Sequence, residues 1–312
     1  MKYASSSIAA LLAAAASANP VISRRQAAAA AAAVTDVGIL NYALTLEHLE
    51  DKFYREGLAN YTQADFVAAG FPDPFYANLQ EISYDETTHV SFLTTALGNA
   101  AVAECKYSFP STDPASFVAL ASVLEGVGVS AYLGAAASIM NKDYLTAAGS
   151  ILTVEARHSA YIRSSDDASP FPQPFDAPLT FNEVYTLAAG FIVSCPAANA
   201  QKPQLPLKAF PTLALGTAGP IQSGDDIELL TPGYTLAAKD GQAPIYAAFA
   251  SVTGPIYADA VPIDGGFTVT VPEGINGQSY VVLTGCADAV NDDTVAAGPA
   301  IVEITNPYPT TA

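Results

Sequence analysis

The chain has 312 residues, 51 % of them hydrophobic, and a formal net charge of −18 at pH 7. That length can bury the core of one large or two modest domains. Thirty acidic residues stand against twelve basic ones with no basic run, which excludes nucleic acid and anionic membranes as partners and favours weak attraction of cations.

Residues 1–18, "MKYASSSIAALLAAAASA", pair a lysine with a short apolar run and an Ala16-Ser17-Ala18 cleavage pattern. This is the form of a signal peptide, so the chain is expected to be secreted. Residues 19–33 read as a propeptide or linker, with Arg24-Arg25 as a dibasic site for a second cut. The leader is too short to span a membrane, and no later stretch reaches about 18 uninterrupted apolar residues, so no transmembrane segment is expected.

Residues 34–57 place Ile39, Ala43, Leu46 and Phe53 at helical spacing, with Asp36 as the expected N-cap. "NYT" at Asn60 is a glycosylation sequon in an expected loop. A second helix, 74–98, carries Ile82, Leu93 and Leu97 on one face. A sixteen-residue non-helical stretch then ends in Asp113-Pro114, a cap followed by a proline at the first helical position. The third helix runs over 114–140, "NKD" breaks it, and a fourth continues to about residue 164. "TFNE" at 180–183 is a capping box that opens a fifth helix ending near Cys195. Two helical hairpins joined by a longer connection describe a four-helix bundle with one crossover, over residues 34–200.

The periodicity changes after that. "CPAANAQKPQLPLKAFP" (195–211) holds four prolines, and 201–212 reads as a Pro-rich linker. In 213–312, "GFTVTV" alternates with period two, "SYVVLTG" and "AIVEI" are β-branched runs, and "DIELL" and "APIYAAF" add weaker strands. The expectation is a small β-sandwich-like domain, making the chain α+β and multidomain. It shows no histidine, paired carboxylates or phosphate loop, and reads as a structural or docking module for a cell-wall or protein partner. Of three cysteines, the pair Cys105–Cys195 is favoured because both lie at ends of expected helices; the other pairings stay open.

The chemistry lies in two short motifs. "DETTH" (85–89) and "VEARH" (154–158) each place a glutamate three residues before a histidine, and they use two of only three histidines. On a helix those positions share a face, about 5–6 Å apart. Glu86 with His89, and Glu155 with His158, can each aim a carboxylate and an imidazole at one divalent metal. Further carboxylates from the other two helices are expected to bridge two such metals. Glu47 and Glu125 supply them: "LEHLEDKFY" and "LEGVGVSAY" match as E-x6-Y, with Tyr54 and Tyr132 seven residues on. The four helices are therefore two copies of one hairpin. Four inward carboxylates would cost several kcal/mol each unless paired or metal-bound.

The order E…E-x-x-H…E…E-x-x-H resembles the ferritin-like di-iron carboxylate superfamily. Residues 34–211, through "LEHLEDKFYREGL", "DETTHVSFL", "KYSFP", "NEVYTLAAGFIVSCP" and "LPLKAFP", are similar to secreted fungal ferritin-like proteins of the stress-response or desiccation-related type. The resemblance implies a bundle with a dinuclear site of two iron ions, with manganese as the alternative. It gives Glu47, Glu86, His89, Glu125, Glu155 and His158 ligand roles. Tyr54 and Tyr132 become supporting or redox-active tyrosines. It does not imply iron storage.

The nearby residues are weighed separately. Glu50, one turn from Glu47, is an alternative ligand. His48 points about 100° away and is expected at the surface. Arg157 is expected in a salt bridge. Gly126 and Gly128 allow either close helix packing or room for a small oxidant. The reading is a secreted metalloprotein that oxidises Fe(II) and reduces oxygen or peroxide, with a manganese-catalase-like reaction as a variant. The competing reading is a non-enzymatic stress-response or cell-surface structural protein whose metal site is structural or vestigial.

Overall fold

The computed structural model describes residues 34–237 and 244–307, so the expected signal peptide and propeptide lie outside the described residues. Four long helices form the bundle: α1 (Asp36–Asn60), α3 (Phe75–Leu97), α4 (Pro114–Ala136) and α5 (Lys142–Ser165). Two shorter ones are α2 (Gln63–Ala68), in the turn between α1 and α3, and α6 (Phe181–Ala189). α1 packs along α3 and α4 along α5, so the two hairpins expected from the repeat are present.

Caps set several helix starts. Asp113 accepts from the Ser116 N–H with Pro114 behind it, and Thr180 and Glu183 close a reciprocal box at α6. At α1 the cap is Thr35, whose side chain accepts from Gly38 N. Asp36 is instead the first helical residue, and its carboxylate accepts from the N–H groups of Met140 and Asn141 at 2.8 and 2.9 Å. It ties the start of α1 to the turn between α4 and α5, a long-range role that local spacing does not encode. Asn60 is the last residue of α1 rather than a loop residue, and α6 stops at Ala189, six residues before Cys195.

The bundle core is dense in aromatics. Phe53 stacks on Phe117 with ring centroids 4.4 Å apart, and both are about 1 % exposed. Gly57 is required beside them, because a Cβ there would lie 2.0 Å from the Phe117 ring. Burying one such side chain contributes roughly 1.5–3 kcal/mol.

The crossover is anchored. β1 (Lys106–Tyr107) pairs antiparallel with β2 (Ile192–Ser194), and Cys105 and Cys195 are joined beside them; Cys286 is free. The proline-rich join is pinned to the bundle rather than free of it. Asn199 exchanges hydrogen bonds with the Ala103 backbone, Asn41 donates to Pro203 O, and Leu205 enters the bundle core.

Seven further strands follow: β3 (Ala214–Leu215), β4 (Asp226–Leu230), β5 (Tyr246–Phe249), β6 (Ile256–Ile263), β7 (Gly266–Thr270), β8 (Gly277–Thr284) and β9 (Val295–Ile304). They form one antiparallel sheet in the order β3-β4-β7-β6-β5-β8-β9. Residues 256–259 of β6 pair with β5 and 260–263 with β7, so β6 belongs to two half-sheets. These fold over a core that includes Ile227, Phe249, Phe267, Val281 and Val302. The edges approach each other through an Ile221–Ile304 bridge.

β8 is buried on both faces. Val281 and Leu283 face the sheet core, while Tyr280 belongs to the bundle core. Tyr280 Oη donates to Gly126 O of α4 (2.8 Å) and accepts from Ser130 and Gln278. Arg163 of α5 forms a two-pronged pair with Glu303 of β9 at 3.0 and 2.6 Å. α4 is thus covered by the bundle on one side and the sheet domain on another. Among the described residues it is the one helix long and apolar enough, by length and composition, to cross a membrane; here it is a core helix.

Candidate metal centre

Glu47, Glu86, Glu125 and Glu155 come one from each long helix, and all four are fully buried. His89 and His158 flank them at 9 % and 6 % exposure. His89 Nδ1 lies 3.2 Å from Glu47 Oε2, 3.3 Å from Glu86 Oε2 and 3.4 Å from Glu155 Oε1. His158 Nδ1 lies 3.0 Å from Glu86 Oε1 and 3.4 Å from Glu125 Oε2. Two overlapping sets result: Glu47, Glu86, His89 and Glu155, then Glu86, Glu125, Glu155 and His158, with the ligand atoms of each set within 4.8 Å of one another.

Glu86 on α3 and Glu155 on α5 are common to the two sets, whereas Glu47 and Glu125 each belong to one.

The tyrosines follow the same two-fold exchange. Tyr54 of α1 donates to Glu125 Oε1 of α4 (2.5 Å), and Tyr132 of α4 donates to Glu47 Oε1 of α1. Each thus holds one oxygen of the other hairpin's glutamate and leaves the second oxygen facing an imidazole. Asp85 Oδ2 lies 3.2 Å from His158 Nε2 and fixes that ring from outside. No periodic signal marks Asp85, because it lies off the face of its own motif.

Glu50 joins the cluster as a fifth buried carboxylate, 4 % exposed, in addition to Glu47 rather than in its place. Its position one turn after Glu47 was the only sequence signal for it. Gly128 makes the space: a Cβ there would lie 2.8 Å from Glu155 Oε2 and 3.0 Å from Glu50 Oε1. Gly126 serves contact between domains, since its Cβ would lie 2.5 Å from Gln278 Nε2. His48 is buried, not at the surface, and bonds to Val102 O (3.3 Å), away from the cluster. Arg157 is exposed and has no ion pair among the described residues.

Burial dominates the electrostatics. It raises Glu86 to about 7 against the pull of His158 and His89, and it raises Glu155 and Glu50 well above the usual carboxylate range, with neighbouring glutamates adding to the rise. Burial opposes protonation of the histidines, but the glutamate carboxylates 3.0–3.4 Å away win: His89 is raised, and His158 rises to about 11. Tyr54 and Tyr132 are held neutral by burial and by the carboxylates they touch.

These partners do not satisfy the cluster. Glu47 Oε2, Glu86 Oε1, Glu125 Oε2, both oxygens of Glu155 and His158 Nδ1 lack a hydrogen bond of acceptable geometry. Buried polar atoms ordinarily have one. A single Nδ1 proton cannot serve the three carboxylates around His89. Five carboxylates and two imidazoliums would leave a net charge of about −3 in the interior, whereas two divalent cations with neutral imidazoles reduce it to about −1. The donor set, mixed oxygen and nitrogen, fits such ions.

Fold and cluster together define a four-helix carboxylate bundle able to hold metal. Residues 35–166 match the family model of the ferritin-like domain, so this part of the chain is similar to ferritin-like proteins. It is also similar to Protein rds1 of Schizosaccharomyces pombe (strain 972 / ATCC 24843), with 28 % identity over 183 residues, covering 58 % of this chain and 44 % of that protein. The similarity thus spans less than half of the relative's length.

Proposed function

We propose that the bundle binds two metal ions, iron in preference to manganese, and that it oxidises Fe(II) at the expense of oxygen or peroxide. The observation that carries this reading is the pair of overlapping ligand sets sharing Glu86 and Glu155. Iron so held supplies one-electron chemistry, and carboxylates suit it because they accommodate both Fe(II) and Fe(III). Glu47, Glu86, His89 and Glu155 would hold one ion, and Glu86, Glu125, Glu155 and His158 the other. Tyr132 and Tyr54 orient Glu47 and Glu125, and Asp85 orients His158. The test is anaerobic loading with Fe(II) followed by oxygen. Oxidation faster than that of free Fe(II), lost in Glu86→Gln and Glu155→Gln, is expected. Bound iron with no acceleration would favour the structural reading.

The site of action in this proposal is outside the cell. The leader-like sequence of residues 1–18 supports it, and so does the Cys105–Cys195 disulfide, which suits an oxidising compartment. Mass spectrometry of the protein from culture medium tests this: a mature chain starting at residue 19 or after Arg25 is expected, and an intact Met1 start inside the cell contradicts it.

A further inference from the structure

Where α6 and β9 meet α1 and α4, a cavity of about 120 Å³ lies against the carboxylate cluster. Its walls include Leu46 and Leu49 of α1, Leu124 and Val127 of α4, Ala188 of α6 and Ile301 of β9. Of its eleven lining residues, Glu50 alone has a polar side chain. Gly128 also lines it, and at that point Glu155 and Glu50 crowd the missing Cβ. The cavity therefore reaches the edge of the cluster at Glu50 and at Gly128, the residue behind which Glu155 lies. The larger cleft between the domains, about 380 Å³ and lined by Arg157, Gln173 and Asp176, touches no cluster residue.

We propose that this cavity is the chamber in which dioxygen, rather than hydrogen peroxide, docks beside the metal centre; the proposal rests on the metal-centre reading above. Apolar cavities of this size stay dry and take up small apolar molecules. Dioxygen needs no hydrogen bonds and fits such a lining. Hydrogen peroxide is polar at both ends, and Glu50 is the one side chain of the lining that could hydrogen-bond it, so most of its hydration would be lost without replacement. The overall balance is that one dioxygen takes two electrons from two ferrous ions and two protons from solvent, and leaves as hydrogen peroxide. The polar product is held poorly by the apolar walls. Ile301 gives the sheet domain a part in the site, as one wall of the chamber.

Xenon is the probe. Metal-free crystals under xenon are expected to show one xenon in this cavity, lost in Ala188→Phe. In iron-loaded protein, Ala188→Phe is expected to keep its metal content and to raise KM for dioxygen at least tenfold, more than KM for hydrogen peroxide. If that variant fails to fold, Ala188→Leu should lower xenon occupancy and Ile301→Ala should increase it. Ordered water in the cavity, xenon bound only elsewhere in the protein, or equal changes for both oxidants overturns the proposal. Bound metal without xenon overturns this proposal alone. Xenon uptake by a protein that binds no metal overturns the proposed function and this proposal with it.

Discussion

Glu47 and His48 are neighbours in the chain and differ in everything that matters to the centre. A helix turns about 100° per residue, so Glu47 faces the other three helices while His48 faces the Val102 carbonyl. Both are buried, so burial does not separate ligand from bystander; direction does. His89→Ala and His158→Ala should each lose at least one metal per chain, while His48→Ala keeps the full content, as read by elemental analysis of the folded variants. Equal loss in all three would mean that the E-x-x-H pairs do not define the centre. Gly128→Ala tests the space for carboxylates. The new methyl group would press on Glu155 and Glu50, and overpacking of this kind costs about 1–3 kcal/mol. Lower melting temperature and weaker metal binding are expected together, whereas a variant that melts and binds as the wild type does would show that the carboxylates have room to move.

The helices and their hairpin repeat were legible in the sequence because each signal was local: apolar spacing, Asp113-Pro114, the Thr180–Glu183 box, and the recurrence of E-x6-Y and E-x-x-H. What was not legible depends on contacts between elements. Asp36 looked like a cap but serves the α4–α5 turn. That Glu86 and Glu155 are common to both ligand sets depends on how the hairpins pack against each other. β6 was hidden by its own Pro262, which sits in the half of the strand that β5 does not pair, where a missing N–H costs nothing to the ladder. β8 lacks alternation since both of its faces are covered. The disulfide between Cys105 and Cys195 spans 90 residues and fastens the crossover to the segment after α6. Replacing both cysteines by serine should cost about 2–5 kcal/mol, seen in denaturant titration. A loss confined to the error of the measurement would mean that β1–β2 pairing and the Asn199 bonds hold the crossover without it.

At the scale of the whole molecule, an acidic protein with a carboxylate centre in its interior should respond to pH in opposite ways with and without metal. Without metal, Glu86 rises on folding from 4.5 to about 7, and Glu155 and Glu50 rise as well. A raised group keeps its proton in the folded state where the unfolded chain has lost it. Its contribution is complete below the unfolded value and fades as pH climbs through the folded one. The histidines act in the same sense, His158 from 6.5 to about 11. The metal-free protein should therefore melt at higher temperature as pH falls from about 8 toward about 5. The loaded protein should melt lower over that range as protons displace metal. Glu155→Gln should stabilise the metal-free form at neutral pH and abolish binding, the exchange of stability for function found at such sites. The measurement that reaches the central claim most directly is the metal content of the protein purified from its own source without added metal. The account predicts two metal ions per chain, removed by chelation with a change in melting temperature. Folded protein with well under one metal per chain, and a melting temperature unmoved by chelation, would contradict it.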